Sequence, residues 1–376
     1  MMRLKHLSIH HLELPLVSPF TTSFMTQTHK RCFLIEAQVE TTDGALVTGW
    51  GENVALDRPF YSAEHLDGAA EVVTRWLAPA LAAREDLNPE RVSGLLSHVI
   101  GQPMAKASLE MAILDAALRA QGRSFHDYLG AVRTSVPSGV SVGIQDSTGD
   151  TVRAIGGYID EGYARIKLKI RPGADIAPVA AVREEFGDDL LFQVDANAAY
   201  TLADATTLAK LDDYGLLLIE QPLGEADLRQ HSQLRSSLRT PICLDESIDS
   251  PEAAADAIAL RAVDIINIKP GRVGGYLAAR KIHDLAVANG IAVWCGGMLE
   301  TGLGRAANAA LAALDGFTLP GDISGSDRFF AEDITTTTIR MHDGIVDVPR
   351  GPGMGVDIDR AKVEKYRTRL QEVALP

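Results

Sequence analysis

The sequence predicts an α/β fold: a (β/α)8-type barrel of parallel strands preceded by a smaller α+β domain. Three observations predict it. Between about residues 135 and 322, eight short apolar runs alternate with amphipathic stretches of helical period. No hairpin signal joins one run to the next, which argues for parallel strands with helical crossovers. The first 130 residues instead mix strand-like and helix-like stretches in no regular order.

Taken in chain order, residues 3–15 and 32–41 (CFLIEAQVET) read as strands and 44–52 as a glycine-bounded return, together an antiparallel meander. Helical periodicity follows over 63–82, 88–99 and 103–121, the last through MAKASLEMAILDAALRA. The first four barrel runs are SGVSVGI (138–144), RIKLKI (165–170), LLFQVDAN (190–197) and GLLLIEQP (215–222). The other four are PICLDES (241–247), DIINIKPG (264–271), IAVWCGG (291–297) and GFTLPGD (316–322). Ser250-Pro251 marks a helix start, and Thr201 with Asp204 fits a capping box. The division is therefore 1–130 for the α+β domain, 131–322 for the barrel, and 323–376 for a segment returning to the first domain.

Of the 376 residues, 46% are hydrophobic and 23% charged, enough apolar material for a large core. The charge balance, 36 − 50 = −14, leaves no basic surface to neutralise phosphates, so no nucleic acid and no anionic membrane is expected as a partner. Cys32, Cys243 and Cys295 are far apart and form no zinc or disulfide pattern, which fits a reducing compartment. Lys5, His6, His10, His11 and Glu13 interrupt the apolar residues near the N-terminus, and no apolar run reaches membrane-spanning length. The expectation is a soluble, cytoplasmic protein.

In such a barrel the active site lies at the C-terminal strand ends. Asp195, Glu220 and Asp245 end the third, fourth and fifth runs, each 25 residues from the next. Side-chain alternation puts Gln193, Asp195 and Asn197 on one face, and pairs Asp245 with Cys243, so Asp245 rather than Glu246 is the inward acid. Three such carboxylates need a cation, and oxygen-only ligands favour Mg²⁺, with Mn²⁺ or another divalent metal as substitute. The same alternation turns Lys167 and Lys169 inward, and Lys269 ends the sixth run, opposite the second. A metal on a substrate carboxylate with a lysine of lowered pKa beside it suits abstraction of the adjacent α-proton.

At the level of motifs the chain resembles the muconate-lactonizing branch of the enolase superfamily, in its N-acylamino acid racemase / o-succinylbenzoate synthase subgroup. The resemblance spans essentially the whole chain. It is carried by PFTTSFMTQTHK (19–30), GYARIKLKI (162–170), VDANAAYTL (194–202), LLLIEQPL (216–223), TPICLDES (240–247), INIKPGRVGG (266–275), VWCGGMLETGLGRAAN (293–308) and FTLPGDISGSDRF (317–329). It implies a capping domain over a (β/α)7β TIM-type barrel. It implies Mg²⁺ on Asp195, Glu220 and Asp245, acid/base roles for Lys169 and Lys269 on opposite faces of the substrate, and an electrostatic role for Lys167. Phe20, Thr22, Phe24 and Tyr61 of the capping domain would line the substrate pocket, completed by Ser141, Asn197, Gly297 and Met298.

The resemblance implies a small-molecule carboxylate substrate and two reactions through one enediolate: dehydration to o-succinylbenzoate in menaquinone biosynthesis, and racemisation of N-succinyl or other N-acylamino acids. Another superfamily lyase or cycloisomerase, or a metal-independent Schiff-base lyase using Lys169 or Lys269, stands as the alternative. A homo-oligomer is expected.

Overall fold

The computed structural model describes residues 2–21 and 25–376. Strands β1 (Met2–Thr21), β2 (Thr26–Thr41) and β3 (Leu46–Asn53) form the meander. The first hairpin pairs from Met2↔Thr41 out to Thr21↔Thr26. The strand expected over 3–15 thus runs on to Thr21. Pro15 and Pro19 break the sequence signal, and the ladder shifts register between Pro15 and Phe20.

Pro103–Ala120 is the long helix of this first domain, with proline in its first turn. The Glu64 carboxylate accepts from the Met104 and Ala105 N–H groups at 2.8 and 2.7 Å, which satisfies two otherwise unpaired donors. Strand β3 crosses it closely. A Cβ on Gly49 would lie 2.2 Å from the Ala112 carbonyl oxygen and one on Gly51 1.9 Å from that of Ser108, so only glycine permits the approach.

The barrel strands are β5 (Gly139–Val142), β6 (Arg165–Lys169), β7 (Phe192–Asp195), β8 (Ile219–Glu220), β9 (Ile242–Leu244), β10 (Ile265–Ile268) and β11 (Ala292–Cys295). They form one parallel sheet in sequence order. The eighth run, 316–322, is not a ladder strand. It touches the two edges by single parallel bridges, Val293↔Phe317 and Ser138↔Gly321, so the hydrogen-bonded sheet is a half-barrel and not closed. Pro320, lacking an N–H, interrupts any longer ladder there.

Next to the first barrel strand, β4 (Ser135–Pro137) pairs with β13 (Ile345–Asp347), which in turn pairs with β12 (Met341–His342). The final strand, β14 (Arg367–Glu372), joins the outer edge of β1 with Ser8 opposite Glu372. The capping box at Thr201 and Asp204 is present, and Ser250 caps the helix beginning at Pro251.

Two buried glutamates of the first domain reach into the barrel domain at helix N-termini. Glu52 on β3 accepts from the Thr301 and Gly304 N–H groups, starting the helix Gly302–Ala312, and Glu110 accepts from the Leu277 N–H in the first turn of Tyr276–Ala288. Each carboxyl satisfies N–H groups that open a helix, although burial raises both to about 7. These two helices follow the strands β10 and β11, so the joint fixes the loops above them.

Candidate active site

Strand register assembles the polar centre. Lys169 sits beside Asp195, and Asp195 beside Glu220, on adjacent rungs of β6, β7 and β8. Lys169 Nζ lies 2.6 Å from Asp195 Oδ2 and 2.6 Å from Asn197 Oδ1. Lys167 is buried, with Nζ 2.6 Å from Asp322 Oδ2, 3.1 Å from Glu220 Oε2 and 3.6 Å from Asp195 Oδ2. Lys269 Nζ is 2.7 Å from Asp245 Oδ2 and 3.3 Å from the Tyr61 hydroxyl.

The pairing corrects two expectations. Cationic partners already face the acids, since Lys167, Lys169, Lys269 and Arg272 all pair with them, so a metal is not their only counter-charge. Among the described residues no three acidic, histidine or cysteine side chains are gathered closely enough to hold a metal ion. The parity argument for Asp245 also fails locally. Strand β9 ends at Leu244, so alternation does not extend to the next two residues. Asp245 is fully buried and turns to Lys269 and Arg272, while Glu246, only partly buried, also faces the polar centre and accepts from Asn197 Nδ2 at 2.9 Å.

Burial opposes ionisation of Asp195, but Lys169 and Lys167 outweigh it and hold the carboxyl at about 2. Burial, reinforced by the charge of Asp195, pushes both Glu220 and Glu246 upward. Lys269 is raised rather than lowered. Burial would depress it, but the Tyr61 oxygen, Glu246 and Glu220 prevail.

All three lysines line one cavity of about 880 Å³, its mouth included, together with Phe20, Tyr61, Ser141, Asn197, Gly297 and Met298. Thr22 and Phe24 lie outside the described residues. Phe20 arrives at the end of the β1–β2 hairpin, so the first domain supplies part of the wall over the strand ends. Asp195, Glu220 and Asp245 are buried alongside Lys167 and Lys269, while Lys169 is partly exposed.

Several members of the centre escaped the sequence reading. Asp322, which receives Arg165 and Lys167, ends the eighth run, and the rule applied to the other strand ends would have found it. Arg272 lies within the motif INIKPGRVGG with no role of its own expected there, yet it bridges Asp245 and the Tyr61 hydroxyl. Lys30, deep in β2, carried no strand-end signal.

Asp195, Glu220 and Asp245 are oxygen-only donors, and Oε2 of the neighbouring Glu246 is buried without a hydrogen-bond partner. In donor chemistry and burial, though not in their spacing while paired with lysine and arginine, these acids fit a hard divalent cation.

Residues 6–130 match the mandelate racemase / muconate lactonizing enzyme N-terminal domain, and residues 150–362 match the enolase C-terminal domain-like family. The chain belongs to the enolase superfamily. Within that superfamily it is 57% identical to an N-succinylamino acid racemase from Amycolatopsis sp, over 94% of this chain and 95% of that one. It is 44% identical to an o-succinylbenzoate synthase from Geobacillus stearothermophilus, over 96% of each chain. The crystal structure of an enolase-superfamily member from Listeria innocua Clip11262 superposes with a TM-score of 0.95 at 41% identity, covering 100% of both chains. Superfamily membership accounts for the half-barrel of parallel strands beside an N-terminal sheet domain.

Proposed function

We propose that this protein abstracts the α-proton of a small carboxylate substrate, serving as an o-succinylbenzoate synthase, an N-succinylamino acid racemase, or both. The observation that carries the reading is the shared cavity of Lys169, which ends β6, and Lys269, which directly follows β10, with three strands between them. Two lysines on separated arcs of one wall, one as neutral amine taking a proton and the other as ammonium giving one, suit exchange on different faces of one carbon. Relatives bearing both names at 44% and 57% identity support the pairing of activities.

In this reading Lys169 and Lys269 exchange protons with the α-carbon, and Lys167, held by Asp322 and Glu220, supplies fixed positive charge. Asp195, Glu220 and Asp245 would hold a divalent cation, Mg²⁺ or a substitute, which supplies charge stabilisation to the carboxylate as the proton leaves. Tyr61 positions Lys269 through the hydroxyl contact, and Asn197 does the same for Lys169. Ser141, Gly297, Met298 and Phe20 shape the remaining wall. Dehydration needs proton movement on one face only, so Lys169 alone suffices for it.

The reading includes a (β/α)7β barrel completed by the bridging segment 316–322, the division at 130 and 322, a cytoplasmic location and a homo-oligomer. Among the described residues no helix is long and apolar enough to cross a membrane. The test is solvent-deuterium incorporation at the α-carbon of N-succinylamino acids, followed by NMR, alongside dehydration of the cyclohexadiene carboxylate precursor. Absence of both reactions with Mg²⁺ supplied would sink the proposal.

A further inference from the structure

Lys167, which lines the cavity, stands over the face of Trp294, with Nζ 4.7 Å from the ring centroid. The Arg165 guanidinium, also on β6, lies over that ring with Cζ at 5.0 Å. Trp294 itself, on β11, is buried and lies outside the cavity lining. Its indole N–H donates to the Cys243 Sγ at 3.3 Å, which sets the ring's orientation and satisfies a buried donor. Leu218, Cys243 and Ile265 pack with Trp294 in an apolar cluster of their own, so the ring is held by packing as well.

Arg165 is fully buried, and among the described residues its Nε and Nη1 find no hydrogen-bond partner. Its Nη2 donates to the Pro320 carbonyl oxygen and to Asp322 Oδ1, each at 2.9 Å. The Trp294 face therefore compensates a guanidinium that hydrogen bonds leave incompletely satisfied. Asp322 ties the two cations together, since its Oδ2 takes Lys167 at 2.6 Å. The other anionic partners of Lys167 are Glu220 at 3.1 Å and Asp195 at 3.6 Å. Both are acids that the proposed function gives to a divalent cation. A carboxylate shared with such an ion attracts an ammonium less, which leaves Asp322 and the ring to hold Lys167.

We infer that Trp294 is a positioning residue for the reaction: its ring, aligned by the bond to Cys243, holds the Lys167 ammonium at the cavity wall. The inference rests on the proposed function for what that ammonium does there. Lys167 supplies positive charge to the enediolate, which is the same species whichever lysine has taken the proton. Trp294 therefore serves both enantiomers alike, whereas Lys169 and Lys269 each serve one. It acts through Lys167 and not on the substrate.

The test places tryptophans of increasing fluorine content at position 294, which weaken the negative ring face stepwise while keeping its shape and N–H. In Mg²⁺-loaded protein the α-deuterium exchange rate at saturating N-succinylamino acid falls with each step, by about 3- to 30-fold at the most fluorinated, and equally for both enantiomers. KM and the calorimetric Mg²⁺ affinity do not move. A flat series, or a loss confined to KM or to one enantiomer, overturns the inference. Should the fluorinated proteins fail to fold, the rates of Trp294→Phe, which keeps a ring face, and Trp294→Leu, which has none, give the same decision. A second readout needs no turnover. In protein carrying ¹³C-labelled lysine, the Lys167 Cε protons, assigned by their loss in Lys167→Met, show an upfield ring-current shift that persists in Trp294→Phe and disappears in Trp294→Leu. Absence of that shift in wild type overturns the placement of Lys167 on the ring. A wild type that shows the shift but exchanges no α-proton upholds the placement and removes the proposed reaction instead.

Discussion

Lys30, fully buried in β2, donates from Nζ to the Met298 carbonyl oxygen at 2.9 Å. This bond runs from the N-terminal sheet to the loop after β11, whose Gly297 and Met298 line the cavity. Capping domain and substrate loop are therefore fastened by one side chain. Lys30→Met keeps the apolar stem but leaves a buried carbonyl unpaired, at a cost of about 1–3 kcal/mol. The expected result is a lower Tm together with a several-fold rise in KM. An unchanged KM would show that the loop holds its shape without Lys30.

Glu52 joins the same domains, and burial raises its carboxyl from 4.5 to about 7 despite the Thr301 N–H and Lys30. The folded state consequently binds this proton more tightly than the unfolded chain. Stability from this group is fully present below about 4.5, falls as pH rises through the interval, and is gone above about 7. His11 and His231, whose burial lowers their pKa values, act with the opposite sign, so the whole-protein curve mixes the two. Subtracting the Glu52→Gln curve isolates Glu52. Chemical denaturation of both proteins from pH 5 to 8 should show the wild type losing about 2–3 kcal/mol more than the variant. Parallel curves would mean that Glu52 stays ionised throughout.

Strand order and the lysine pattern of the barrel were legible because β6 alternates strictly: Ile166 and Leu168 pack outward into the core while Lys167 and Lys169 reach the cavity. Alternation ceased to inform where strands stop. Asp245 and Glu246 lie just beyond β9, and tertiary partners, not pleat, decide their directions. Lys30 and Glu52 were invisible for another reason. Each is a charged residue inside an N-terminal strand, and its partner is more than two hundred residues away. The eighth run was read as a strand from composition, but Pro320 leaves it only isolated bridges.

Gly296 offers a probe of Lys269 that leaves its ammonium intact. A Cβ there would lie 2.2 Å from Asn267 Oδ1 and 2.8 Å from Lys269 Cε. Gly296→Ala must displace one or both. Displacement of a reacting group by about 1 Å can cost on the order of 10²-fold. Deuterium exchange of the enantiomer served by Lys269 should fall by about 10- to 100-fold, and exchange of the other enantiomer should fall far less. Equal losses for both would point to general disruption of the site.

Chelator treatment followed by Mg²⁺ addition should abolish and restore turnover if the buried acids hold a divalent ion. Glu220 is the most informative acid to change, because it lies between Asp195 and the β9 end and its Oε1 accepts from Asn267 at 2.8 Å. Glu220→Gln preserves that hydrogen bond while removing a charge. Calorimetry should show Mg²⁺ affinity reduced at least about tenfold, the effect of a lost ligand. Full turnover in chelated protein would remove the metal from the mechanism.

The two lysines are separable by stereochemistry. Lys169 faces Asp195 and Asn197, whereas Lys269 faces Asp245 and Tyr61, so each is held by its own partners. Replacing either by alanine should abolish racemisation, since one proton must leave and another arrive on the opposite face. Exchange is more selective. Each variant should lose α-deuterium incorporation for one enantiomer by about 10²–10⁴-fold and retain a measurable rate for the other. Dehydration should vanish in Lys169→Ala, while Lys269→Ala slows it only through lost positive charge. NMR of each enantiomer in D₂O, with variants shown to bind Mg²⁺, reads all of these at once. Loss of exchange from the same enantiomer in both variants would place the lysines on one face and exclude the two-base mechanism.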